Sequence, residues 1–139
     1  MIRDPEAGFV ATELVLGIGL LVVPVALLVL TLPRWSERQV TARVSSREVA
    51  RRLARDGVCD VAGSRALGAT MARNLGVPGE QVSVEVSCAA GAALAPGGDV
   101  EARVTVTMPA VNLPGIGAIG AWSWTARHRE PIDRYVAAR

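Results

Sequence analysis

The chain has 139 residues, half of them apolar, with 15 basic residues, all arginine, 13 acidic residues and one histidine, for a net charge of +2. That length allows one membrane-length helix and one small domain, but not two independent cores. So little excess charge, with three tryptophans, one tyrosine and one phenylalanine as the only aromatic residues, argues against nucleic acid as a partner.

Residues 1–8, "MIRDPEAG", form a short polar arm, and "FVATELVLGIGLLVVPVALLVLTLP" follows at 9–33. From 14 to 32 there is no charged side chain. At about 1.5 Å per residue, residues 14–33 span roughly 30 Å, the thickness of a bilayer core. A cleavable secretory signal would have a shorter apolar region and a small-residue cleavage site after it, whereas "PRWSERQ" comes next. A buried core helix is the soluble alternative, but every side of this segment is apolar. Pro24 falls in its middle, where a membrane helix tolerates proline, and it predicts a kink there. Gly17 and Gly19 add flexibility or allow close helix approach.

The run "RWSERQVTARVSSREVARRLARDG" predicts a continuing amphipathic helix over 34–57, with Gly57 as its stop. Trp35, Ala42, Ser46, Val49 and Leu53 share one face, with Ala50 beside them. Arg47, Arg51 and Arg55 line the opposite side near Val40 and Val44, as a solvated face. A short second helix is expected at about 64–75, ended by Gly76 and Pro78.

The period then changes to two. Val82, Val84, Val86 and Cys88 face one way in "QVSVEVSC", and Val100, Ala102, Val104, Val106 and Met108 do so in "DVEARVTVTM". "AAGAALAPGGD" joins the two as a loose hairpin. "PAVNLPGIGAIG" reads as a Pro/Gly-rich loop, "AWSWTARH" as a third strand with Trp122, Trp124 and Ala126 on one face, and "REPIDRYVAAR" as a polar tail of coil or short turn. The fold class is α+β: a long N-terminal transmembrane and amphipathic helix, then a small antiparallel sheet with one short helix over 58–139.

Cys59 and Cys88 could bridge the helix end to the sheet if the domain lies outside the cytoplasm, or remain two buried thiols. Two cysteines and one histidine fall short of the usual metal-ligand sets. No catalytic motif, cofactor loop or small-molecule site stands out, and His128 reads as a structural histidine on the tryptophan face. The expectation is a protein that is not an enzyme.

Glu13 is the exception within the apolar segment. A carboxylate there is costly and usually has a partner, unless it sits in the headgroup zone. Were the chain cut between Gly8 and Phe9, Phe9 would carry a cationic amine, and Glu13 would be the fifth residue of the shortened chain. That amine could neutralise the carboxylate on the same helix or a neighbour's.

The charged leader "RDPEAG", followed by "FVATELVLGIGLLVVPVALLVL", resembles a type IV prepilin-class signal. With a long helix, a small two-cysteine domain and the tail "ARHREPIDRY", the chain resembles more specifically the TadE-like minor pilins of tight-adherence (Flp-type) pilus systems in high-GC bacteria. The likeness is densest at 3–33, weaker at 126–135, and architectural between.

The resemblance implies that Gly8 precedes the cut of a membrane prepilin peptidase, that Phe9 becomes the new N-terminus, and that Glu13 is the assembly carboxylate. It also implies partners: a pilus platform protein, an assembly ATPase and other pilins. The location implied is the bacterial cytoplasmic membrane, single-pass with the C-terminal domain extracytoplasmic, and the pilus or cell surface beyond it. The alternative is an unprocessed single-pass protein whose small domain binds a protein partner. Arginine counting favours a cytoplasmic C-terminal domain, opposite to the orientation a prepilin needs, since Arg34, Arg38, Arg43 and Arg47 follow the span and only Arg3 precedes it.

Overall fold

The computed structural model describes residues 6–113, 117–120 and 122–135. The chain forms two compact units, Met1–Arg34 and Trp35–Arg139. One helix, α1 (Glu6–Asp56), contributes to both.

In the first unit, α1 remains helical through Pro24 and into Pro33. Each proline lacks an N–H, so the carbonyls of Leu20 and Val29 lose their usual intrahelical donors. The kink expected at Pro24 stays an expectation. Leu14, Leu16, Leu20, Leu21 and Leu30 are all more than half exposed. The most apolar window of the helix has a mean hydropathy of 2.8 and none of it is buried, so this one helix is long and apolar enough to cross a membrane. Gly8 and Phe9 already lie within the described helix.

The second unit starts with the C-terminal part of α1. Thr41, Ala42, Ser45, Ser46, Val49, Ala50, Leu53 and Ala54 are buried. This paired i, i+1 rhythm repeats every four residues and is wider than the stripe expected from apolar residues alone. The polar members are small enough to pack closely: the Thr41 hydroxyl donates to the Glu37 carbonyl (2.9 Å) and that of Ser46 to the Arg43 carbonyl (3.0 Å). Arg47, Arg51 and Arg55 are exposed as expected. Gly57, at φ 68°, ends the helix with its N–H on the Leu53 carbonyl at 3.0 Å, the αL cap that glycine favours.

Helix α2 (Val61–Asn74) starts three residues before the expected Ser64. The side chain of Asp60 accepts from the Gly63 N–H at 2.8 Å and so caps the helix. Its buried face is Ser64, Gly68 and Ala72. A Cβ on Gly68 would lie 2.4 Å from Val84 Cγ2, so this helix rests directly on the sheet. At its end, Val77 N–H bonds to the Ala72 carbonyl (2.8 Å) and Gly76 N–H to that of Arg73 (3.0 Å), a Schellman cap around the predicted Gly76 stop.

A single 3₁₀ turn, Gly79–Gln81, leads into β1 (Val82–Val86). β1 pairs antiparallel with β2 (Asp99–Thr107), Val84 opposite Val104. Val100, Ala102, Val104, Val106 and Met108 are at most 1% exposed, as their alternation predicts. Val100, Ala102, Val104 and Val106 form one core with Val49, Ala50 and Leu53 of α1 and Ala72 of α2.

Three sequence expectations change. The 89–98 connection is not loose: Cys59 N–H bonds to the Ala92 carbonyl, Gly91 N–H to that of Cys59, and Leu94 N–H to that of Gly57, each at 2.8 Å. The Pro/Gly-rich run read as loop contains a hairpin of its own, β3 (Val111–Leu113) against β4 (Gly117–Ile119). The third strand of the main sheet, β5 (Ser123–Pro131), runs three residues into the segment read as polar tail, through Arg129, Glu130 and Pro131, with Val106 opposite Trp124 and Asp99 opposite Pro131. Ile132, next after it, is buried, exchanging hydrogen bonds with Gly97 and Gly98 (3.1 and 2.8 Å). Residues 136–139 of that tail lie outside the described residues.

Candidate functional site

On the first unit, the chemistry narrows to one face of α1. Glu13 is exposed, and among the described residues none forms a hydrogen bond or ion pair with it. Gly17 follows one helical turn later, with open space where a Cβ would stand. Apolar hollows flank this line, one against Leu14, Ile18, Leu21 and Val22 and the other against Thr12, Leu16 and Leu20. A carboxylate beside a glycine notch lets a second helix approach closely and bring a cation to the acid. The backbone at Gly8 and Phe9 is helical, and the Phe9 side chain lies outside the described residues.

The second unit supplies a covalent clamp and a polar sheet surface. Cys59, fully buried, and the half-buried Cys88 form a disulfide with Cα atoms 6.0 Å apart. It ties the segment between α1 and α2 to the end of β1.

On the outer sheet face, Arg103 Nε lies 2.6 Å from Glu101 Oε1, and Arg129 spans Asp99 (3.0 Å) and Glu101 (3.6 Å). The hydrogen bond from Arg103 holds the Glu101 carboxyl below the usual carboxylate range, with the charges of Arg103, Arg129 and Arg127 adding to it. These groups are exposed enough for solvent to screen them, so they give the face its charge pattern more than its stability.

Sequence reading missed a set of aromatic and arginine contacts at one end of the domain. Trp35 and Trp122 meet edge to face with centroids 6.1 Å apart, and Arg43 stacks 5.3 Å above Trp124. Arg38 donates to the Gln81 side chain and, at 2.8 Å, to the Thr107 carbonyl. The i, i+3 spacing of Trp35 and Arg38 on a helix was the only available signal.

His128 is half-buried and its Nε2 lies 2.9 Å from Glu130 Oε2. Among the described residues no hydroxyl or thiol hydrogen-bonds to this imidazole, and no three metal-ligating side chains cluster. Comparison with protein-family models, curated proteins and solved structures gives no match for this chain.

Proposed function

We propose that the chain is a structural and assembly protein: a minor pilin of a type IV-like (Flp/Tad) pilus, trimmed after Gly8 and built into the filament or its priming complex through α1. The observation carrying this reading is Glu13, exposed beside the open Gly17 notch near the N-terminal end of a helix with no other charge from 14 to 32. A carboxylate so placed needs a cation from elsewhere, and cleavage before Phe9 would create one, the new α-amine, four residues away.

The Cys59–Cys88 bridge supports an extracytoplasmic domain, because structural disulfides persist in oxidising compartments. The arginines after the span, which count the other way, have a second explanation. Two of the four, Arg38 and Arg43, hold Gln81, the Thr107 carbonyl and Trp124 within the domain, so the fold accounts for those two without reference to topology.

Glu13→Ala tests the assignment. It should leave membrane insertion and the folded domain intact while abolishing incorporation into pili, and Glu13→Asp should restore part of it. Normal incorporation of Glu13→Ala would refute the role given to the carboxylate and favour an unprocessed membrane protein whose domain binds a protein partner.

A further inference from the structure

We infer that the free edge of β5 takes up an extended acidic segment of a partner protein as a fourth strand of the sheet. This surface lies wholly within Trp35–Arg139, and the inference holds whether or not the chain is cut at Gly8.

The order β1-β2-β5 leaves β5 with a neighbour on one side only among the described residues. Its nine residues reach about 30 Å, whereas β1, the other edge, has five. Bonds from Met108 N–H to the Trp122 carbonyl (2.7 Å) and from Ile132 N–H to the Gly98 carbonyl (2.8 Å) fix the phase of the β2–β5 ladder. Antiparallel pairs alternate between bonded and non-bonded, so Trp124, Ala126, His128 and Glu130 bond to β2. The N–H and C=O groups of Ser123, Thr125, Arg127 and Arg129 therefore point away from β2, along an edge of the kind that a further strand can pair with. Pro131 ends that row, because proline has no N–H to offer.

The side chains along this edge select the strand that fits. Ser123, Thr125, Arg127 and Arg129 are exposed, while Trp124 and His128 alternate with them and are half-buried on the face of the buried Ala126. Arg129 is occupied by Asp99 and Glu101 (3.0 and 3.6 Å), but Arg127 makes no hydrogen bond or ion pair among the described residues. It stands directly opposite Arg103, whose guanidinium already holds Glu101 at 2.6 Å. A carboxylate on an added strand, level with Arg127, would supply the missing opposite charge. Apolar side chains at its alternate positions would cover Trp124 and His128, so main-chain bonds and side-chain pattern act together. A second copy of this chain fits less well, since full-length antiparallel pairing of β5 with itself sets Arg127 against Arg127.

The test uses the full chain in detergent micelles with its disulfide intact, and amide hydrogen exchange read by NMR. The probe is a short end-capped peptide in which glutamate alternates with valine. In the free chain the amides of Thr125, Arg127 and Arg129 should exchange many-fold faster than those of Ala126 and His128. Saturating peptide should slow the first three several-fold and leave the other two unchanged. Lysine in place of glutamate should weaken binding several-fold, and Arg127→Glu should reverse that preference. Slow exchange at 125, 127 and 129 in the free chain at every concentration would overturn the open edge. Protection that appears only as the chain itself is concentrated would overturn the acidic partner in favour of a second copy. Failure of the glutamate peptide to protect these amides, or equal binding of the lysine peptide, would also overturn it. Should Arg127→Glu fail to fold, a glutamate peptide N-methylated at the amides facing β5 should not bind; binding as tight as the parent's would overturn strand pairing.

Discussion

Opening the Cys59–Cys88 bridge should cost the domain a large share of its stability. The cysteines are 29 residues apart in sequence, and closing a loop of about 30 residues stabilises by roughly 3–4 kcal/mol in the chain-entropy account. The loop lies wholly within Trp35–Arg139, so the estimate holds even if the apolar half of α1 stays helical in detergent after the domain unfolds. Replacing both cysteines by alanine also removes a sulfur from a site with no exposed surface at Cys59, which adds about 1 kcal/mol of lost packing. Against a typical total of about 5–15 kcal/mol, reduction alone should lower the melting temperature by roughly 15 °C. The assay is urea unfolding of the full chain in mild detergent, followed by tryptophan emission with and without a phosphine reductant. Oxidised and reduced forms within about 1 kcal/mol of each other would refute the reasoning, because the bridge would then not constrain the unfolded chain.

Gly68→Ala should destabilise the domain by about 1–2 kcal/mol: the better helix former gains up to about 1, but its Cβ meets a buried, χ1-restricted Val84, and overpacking costs about 1–3; an unchanged urea midpoint would contradict the close α2–β1 approach. Ser45→Ala should be neutral or stabilising by up to about 2 kcal/mol, since the buried Ser45 hydroxyl has no hydrogen-bond partner among the described residues; a loss above about 1 kcal/mol would mean that the hydroxyl is satisfied in solution. The Glu101 carboxyl should titrate below an ordinary glutamate by NMR and return towards the usual range in Arg103→Ala. Its folded pKa being depressed, any contribution to stability is complete above the unfolded pKa and is lost as pH falls through the folded one. An unmoved Glu101 titration in Arg103→Ala would refute the attribution.

The strands β1 and β2 are legible because one face is buried and the other wet, so their valines alternate with Ser, Glu, Arg and Thr. The helix ends are legible at Gly57 and Gly76 because those positions need positive φ. Other elements are masked by residue chemistry. Thr41, Ser45 and Ser46 look like solvent residues, yet they are buried on the α1 face that carries the core residues Ala42, Val49 and Leu53, and two of them bond back to their own helix. β3 and β4, three residues each, are too short for a period of two to stand out. Arg129 and Glu130 give the end of β5 the look of a tail, although a strand with one wet face tolerates a charge such as that of Arg129.

The candidate site is legible only as a position. Gly8, Phe9, Glu13 and the run behind them are adjacent in sequence, so spacing alone marks them. The cation that Glu13 needs is found on none of the described side chains. The Trp35–Trp122 and Arg38–Thr107 contacts join residues far apart in sequence, and no local pattern announces them.

The most direct test of the central claim is the non-reducing intact mass and N-terminal sequence of the chain purified from cells with an active prepilin peptidase. The account predicts a chain that begins at Phe9 and is two hydrogens lighter than its reduced form, reporting cleavage after Gly8 and the Cys59–Cys88 bridge together. A chain that still begins at Met1 and carries two free thiols would contradict it, and would leave a membrane anchor whose small domain faces the cytoplasm.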